Sequence, residues 1–410
     1  MNQPTPQLAA LPRALEPLEQ LAWWFDQITP SHFVLVGEYE GRTTPEDWVQ
    51  VLARLQAQHQ LLAVSVLPDP PRFVPTARPI PLRLVPIADP ACWQAEAAHE
   101  MHTRFDPFRG PLVRATVLHS ELRATLILAA HHAVADGISI MHVFHNVLAL
   151  LRIPPDAEVT AAFPDSAEPA ERPSGPARAQ TGSSRQRVLP DHPPILTALS
   201  LSADLADRLR RQAASEGTTV FGALAAALTL TVPARDGPDA DSRPADASMR
   251  IIVPVNMRPM LGLSQEVRIM VGLTRVTAGT QAPHAFWPLA RRLKADLVAQ
   301  LEPDKLAAGA AELDAIAAST FSAEKADDFM RRHIAAEGMI SNLGAVPFAT
   351  QTADLRLAAL WGPSILTGQA GEQVIGAASV DGVLYLLHTS YAPWPSLLEN
   401  MKARLAEACR

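Results

Sequence analysis

The chain has 410 residues, a formal net charge of −7 and a pI near 6.0. At roughly 150 residues per domain this length holds about two or three domains, enough to bury a large core without disulfide or metal staples. The acidic balance excludes a global electrostatic grip on nucleic acid or on an anionic membrane, leaving room only for a local basic patch that holds a phosphate. Two cysteines, Cys92 and Cys409, rule out a disulfide framework and a four-thiolate zinc site. Both read as reduced thiols of a cytoplasmic protein.

The first residues, MNQPTPQLAALPRALEPLEQ, carry prolines and acids where a signal peptide needs a basic start and an apolar core. No run approaches the ~18 apolar residues of a membrane span; the longest candidate, Phe221 to Val232, is too short and contains threonines. A soluble cytoplasmic chain is expected. His32 to Glu38 reads as a strand. Thr44 then caps a helix with Pro45 in its first turn and Glu46 and Asp47 against the dipole, and Trp48, Val51, Leu52 and Leu55 share one face. Pro111 to His119 and Glu121 to Ala130 read as a strand pair, the second running directly into His131. After Gly137, residues Ile138, Met141, Phe144, Leu148 and Leu151 continue as a helical stripe.

From Pro154 to Pro194 the sequence is dense in Pro, Ser, Ala and charge and nearly devoid of large apolar residues, so it reads as a linker or long crossover. Ala234 to Ser248 reads as a surface loop. In the second half Ser202 is placed to cap a helix ending near Gly217, and Thr218 or Thr219 the next. Strands are expected at Met249–Val255, Val267–Val276, Gln373–Val380 and Val383–Ser390, and helices around Ala285–Leu301, Ala323–Glu337 and Pro395–Ala408. Strands and helices intermix in both halves without strict alternation, which predicts α/β layers with mixed sheets. The expected organisation is an N-terminal lobe over residues 1–153, a Pro-rich linker or crossover over 154–194, and a C-terminal lobe over 195–410.

Chemistry concentrates in His131-His132-Ala133-Val134-Ala135-Asp136-Gly137, where a buried strand ends and a helix begins. Adjacent strand residues point to opposite faces, so only one of the two histidines faces a given cavity. A neutral imidazole at such a strand end suits general-base work near neutral pH. Asp136 stands where it caps the following helix, and Gly137 permits a tight turn.

This segment resembles the HHxxxDG signature of the acyltransferase superfamily that includes chloramphenicol acetyltransferase, the condensation domains of nonribosomal peptide synthetases and the polyketide-associated acyltransferases. Three further pieces occur in the family's order. Phe105-Asp106 with Gly110-Pro111-Leu112-Val113-Arg114 is similar to its "F…gPLxR" stretch, and Val253-Pro254-Val255-Asn256-Met257-Arg258-Pro259 to its "PVxxR" strand. Ser341-Asn342-Leu343-Gly344 is similar to the "SNxG" segment of stand-alone members. The DFGWG segment of plant members is missing from the sequence, and nothing in it resembles an adenylation or carrier domain. The stand-alone bacterial type, including mycobacterial transferases that esterify polyketide-derived lipids, fits better.

The resemblance implies two chloramphenicol-acetyltransferase-like lobes forming a V-shaped pseudo-dimer around a central tunnel. It implies an acyltransferase that moves an acyl group from a phosphopantetheine thioester, on coenzyme A or an acyl carrier protein, to an alcohol or amine. Ester formation is favoured by the stand-alone pieces, in specialised metabolite or lipid biosynthesis. His132 would be the base, with Asp136, paired to Arg258, and Gly137 and His131 as structural support. Asn342 and Ser341 would line the tunnel or approach the oxyanion. No cofactor or metal is expected beyond the thioester substrate.

Two other readings stay open. One is a non-catalytic condensation-like module that binds a carrier protein or acyl chain. The other is a metal-dependent hydrolase, because His131, His132, Asp136, His142 and His145 crowd a short stretch, although without HxHxDH or HExxH order. Ser341-Asn342-Leu343-Gly344 also suits a plain turn. The basic runs Arg208, Arg210, Arg211 and Arg291, Arg292, Lys294 suit a coenzyme A phosphate or an acidic carrier protein, and equally a solvated helix face.

Overall fold

The computed structural model describes residues 10–87, 93–152, 190–231, 248–262, 266–279, 285–318 and 322–410. Most of the segment read as a linker, 154–189, and the loop 234–247 lie outside them. In chain order the first half runs β1 (Arg13–Ala14), α1 (Pro17–Asp26), β2 (Phe33–Gly41), α2 (Pro45–Gln58), β3 (Val64–Pro68), β4 (Pro71–Pro75), β5 (Leu82–Pro86), α3 (Trp93–His102), β6 (Val113–Ser120), β7 (Arg123–Ala130) and α4 (Gly137–Leu150). The second half runs β8 (Ile195–Leu201), α5 (Ala203–Ser215), α6 (Val220–Leu230), β9 (Ser248–Asn256), α7 (Arg258–Leu261), β10 (Val271–Gly279), α8 (Phe286–Gln300), α9 (Pro303–Ala318), α10 (Ala323–Ile334), β11 (Gly338–Ala345), β12 (Leu355–Ile365), β13 (Gln373–Val380), β14 (Val383–Ser390) and α11 (Leu397–Ala408).

Local chemistry explains many of these boundaries. Thr44 caps α2 through a capping box with Asp47, and Trp48, Val51, Leu52 and Leu55 are buried as their spacing predicted. Ser202 and Thr219 cap α5 and α6. Helix α1, which the periodicity did not reveal, carries Pro17 at its first turn and a Glu16–Glu19 capping box. Helix α10 stops at Ile334, short of Glu337, whose backbone N–H goes to the Arg250 carbonyl at 3.1 Å while its carboxylate accepts the Arg250 amide at 2.7 Å.

Two mixed sheets organise the molecule. The order β12-β2-β7-β6-β5 is antiparallel except for β5–β6, and the order β10-β9-β11-β13-β14-β8 is parallel only at β9–β11 and β11–β13. A small antiparallel sheet, β1-β4-β3, flanks the first. Strand β12 comes from the second half of the chain but pairs with β2 of the first. It reaches the other sheet at Gly362-Pro363, so close to β13 that a side-chain carbon on Gly376 would stand 2.3 Å from the Pro363 carbonyl oxygen. The result is the expected two-lobed α/β architecture.

Strand β2 is buried on both faces. Phe33 and Leu35 join the core of the first lobe, whereas Val34 and Val36 join a third core shared by both halves. That shared core includes Leu21 and Phe25 of α1, Ile252 of β9, Ile334 of α10 and Val374 of β13. It places α1 and α10 together over the junction of the lobes. Among the described residues no single helix is long and apolar enough to cross a membrane.

Candidate active site

An open cavity lies where the lobes meet. Its wall is overwhelmingly apolar. Leu18, Leu21, Ala22 and Phe25 of α1 face it from one side and Met330 and Ile334 of α10 from another, with Ile269, Val271 and Leu273 closing a third. His132, Asp136, Gly137 and Ser341 also lie on the wall.

The two histidines part by strand alternation. In β7, Leu128 and Ala130 face the first-lobe core while Ile127 and Ala129 face the shared core. His132 continues the first set. It is half-buried on the cavity wall, with its ring 4.7 Å from that of Phe33. Burial pushes its imidazole down to about 4, outweighing the attraction of Asp136, so the ring is neutral at physiological pH. His131 continues the other set and is fully enclosed. Its Nδ1 accepts the Ala133 N–H at 3.1 Å and its Nε2 lies 3.4 Å from Asp26 Oδ2. Phe105, singled out in the sequence, packs edge-on against His131 and His32, and the Arg114 guanidinium lies 3.9 Å over the Phe105 ring. The first of the resembling pieces therefore forms the platform behind His131. Within it Gly110, at φ +49°, approaches the Val64 carbonyl too closely for any side chain.

Asp136 caps α4 through the Ser139 N–H at 2.8 Å, as its position predicted. Its other oxygen accepts Arg258 Nη1 at 2.8 Å and the Met270 N–H at 2.8 Å. Both side chains of the ion pair are about 5% exposed or less. Arg258 Nη2 donates to the Arg268 carbonyl at 2.7 Å. This network also corrects one strand boundary. The Arg268 carbonyl goes to Arg258 and Ser139 and the Met270 N–H to Asp136, so β10 begins at Val271 and not at Val267.

Gly137 serves space and not a special turn conformation. A side-chain carbon there would stand 3.0 Å from both Leu343 and Pro363, and its φ is not positive. Ser341 and Asn342 lie in β11, on the strand and not in a free turn. Ser341 reaches the cavity wall; Asn342, one residue on, is not among the residues that line it. The Asn342 Oδ1 instead accepts the Gly344 N–H at 2.9 Å, and the ladder with β13 shifts register there.

The remaining candidates find other neighbours. His145 stacks on Phe348 at 4.5 Å, with His142 against the same ring. Among the described residues no group of three or more His, Cys, Asp or Glu is placed to hold a metal ion. Arg208 pairs with Asp204, Arg210 and Arg211 with Asp207, and Arg291 with Glu216, while Lys294 donates to the Gly217 carbonyl. Asp26, which sequence reasoning passed over, joins the site only through folding. Its signal was slight: an acid ending an unrecognised helix.

No family model and no curated protein sequence matches the chain. Solved structures are similar over almost its whole length. Polyketide synthase associated protein 5 from Mycobacterium tuberculosis is similar across 97% of this chain and 97% of its own, at 17% identity and a TM-score of 0.62. The first condensation domain of the CDA synthetase covers 98% and 97%, at 15% identity and 0.63. The condensation domain from Monacolin K polyketide synthase MokA covers 98% and 97%, at 12% identity and 0.60. At these identities the likeness is one of fold, and it agrees with the superfamily that the motifs resemble: the chain has the two-lobed condensation-domain fold.

Proposed function

We propose that the protein is an acyltransferase that moves an acyl group from a phosphopantetheine thioester to a hydroxyl or amine, with an alcohol as the preferred acceptor. The donor is acyl-coenzyme A or an acylated carrier protein. The observation that carries this reading is His132: a neutral imidazole on the wall of an apolar cavity between two lobes, one turn from a buried Asp136–Arg258 pair. In the proposed reaction His132 takes the acceptor proton as the acceptor oxygen bonds to the thioester carbonyl carbon. The tetrahedral intermediate then collapses, the carbon–sulfur bond breaks, and the thiolate leaves and recovers a proton from the imidazolium. Holding both substrates in one cavity supplies much of the remaining rate. Asp136, with its oxygens committed to Ser139, Met270 and Arg258, acts as structural support and not as a second base. No cofactor beyond the thioester enters the scheme, and the setting is polyketide or other specialised metabolite biosynthesis, in keeping with the similarity to a polyketide synthase associated protein and to two synthase and synthetase condensation domains.

The test is intact-mass tracking of acyl groups from a panel of acylated carrier proteins and acyl-coenzyme A thioesters to alcohol and amine acceptors. Transfer that disappears in His132→Ala supports the reading. Tight binding of acylated carrier proteins with no transfer to any acceptor would instead support a non-catalytic condensation-like module.

A further inference from the structure

Helix α1 is fastened at both ends to the segment that carries His132. At its first turn the Glu16 carboxylate pairs with Arg268 Nη2 at 2.5 Å, and the Arg268 carbonyl in turn accepts Arg258 Nη2 and the Ser139 hydroxyl. At its last turn Asp26 Oδ2 lies 3.4 Å from His131 Nε2, and Asp26 Oδ1 accepts the Ser31 N–H at 2.8 Å. Between these two ties, α1 presents Leu18, Leu21, Ala22 and Phe25 to the cavity. Because the Ala133 N–H donates to His131 Nδ1, the ring proton of His131 sits on Nε2, which is enclosed, has no hydrogen-bond partner among the described residues and lies nearest the Asp26 carboxylate at 3.4 Å.

We infer that Asp26 is a positioning residue of the His132 site: its carboxylate, at ion-pair range, holds the orientation of the His131 ring, and through the adjoining backbone it locks the strand end that aims His132 into the cavity. The wall of the cavity and the base then move as one piece. Asp26 itself is buried and does not line the cavity, so it acts on the site through its neighbours, His131 and the cavity-lining Ser31. Against the cost of burial, the neighbouring His131 and His32 and the Ser31 amide hold the Asp26 carboxyl down to about 2, which keeps it charged. The inference rests on His132 as the base.

Asp26→Asn separates positioning from packing. Asparagine keeps the size and still accepts the Ser31 N–H through Oδ1, but it turns an amide N–H toward the His131 ring proton, donor against donor. The full chain labelled with carbon-13 histidine reports each ring by nuclear magnetic resonance, with His132→Ala identifying the His132 signal. In Asp26→Asn the His132 signal should move, and acyl transfer per folded molecule should fall by at least about tenfold with KM within about twofold. A lowered melting temperature with His132 signal and turnover unchanged would overturn the inference and leave Asp26 a packing residue. If Asp26→Asn does not fold, His131→Asn, which removes the ring between Asp26 and the strand end, replaces it, and an unmoved His132 signal there overturns the proposal. Failure of both variants to fold would also overturn it, by making the pair a folding requirement. If the wild-type chain transfers no acyl group, the proposed function fails while the resonance measurement still decides the role of Asp26.

Discussion

His132 stays neutral because the cost of burying an imidazolium exceeds the attraction of Asp136. Turnover governed by this base should therefore fall on the acid side with a midpoint near 4, not near the ordinary 6.5 of a free histidine; a rate profile breaking near 6.5 would contradict it. His132→Ala should lower turnover by ~10²-fold or more with folding nearly unchanged, and near-wild-type turnover at pH 7 would reject His132 as the base. Asp136 and Arg258 are coupled differently. Each is buried, so removing one strands the other, typically at a cost of ~3–5 kcal/mol. Asp136→Ala and Arg258→Ala should both lower stability in urea, and the double variant should lose less than the two single losses summed. Additive losses would show that the two side chains are not energetically coupled. Asp136→Asn with intact stability and abolished transfer would point to a catalytic carboxylate.

At the scale of elements, β12 and α1 tie the halves together by contrasting means. Strand β12 pairs with β2 and then touches β13 backbone to backbone at Gly362-Pro363 and Gly376. A methyl at Gly376 meets a carbonyl oxygen at 2.3 Å, which a strand pair cannot relieve by turning a side chain. Gly376→Ala should thus cost ~1–3 kcal/mol or more through overpacking. Gly137→Ala meets only the side chains of Leu343 and Pro363, at 3.0 Å, and should cost less. It should show mainly as lowered turnover, because α4 must shift away from the cavity at its first residue. Thermal melts of the two variants check the order; a more damaging Gly137→Ala would refute this account of the crossing.

Across the molecule, burial holds His32, His132 and His388 neutral at physiological pH. His32, His132 and His388 are each pushed down to about 4 from the ordinary 6.5. Their folded values lie below the unfolded ones, so between pH 6.5 and 4 the unfolded chain binds protons that the native chain refuses. Their contribution to stability is complete above 6.5 and is lost as the pH falls through that window. Asp26, lowered to about 2, adds a further loss only below its ordinary 3.8. The melting temperature should decline steadily from pH 7 to pH 4.5, and a constant value over that range would show that these histidines are not buried neutral in solution.

Short-range chemistry was legible in the sequence by itself. Thr44, Ser202 and Thr219 cap helices because a side-chain oxygen one residue before a helix meets its free N–H groups wherever the helix goes. The alternation that separates His131 from His132 is likewise a property of extended backbone. The order of four motif pieces pointed to the two-lobed fold. Tertiary structure alone decided the rest. Strand β12 carries Gly362-Pro363 inside its run, a pair that argues against a strand until the register shift between Trp361 and Ser364 accommodates it. Residues 267–270 look like strand, but the Arg268 carbonyl goes to Arg258 and Ser139 and the Met270 N–H to Asp136, the last two partners more than a hundred residues distant. Asn342 carries the polarity of a site residue, yet a local bond to Gly344 and the pleat of β11 keep it off the cavity wall. Asp26 meets His131 only when α1 packs across the junction of the lobes, because nothing local to either residue encodes a contact between side chains that far apart in the chain.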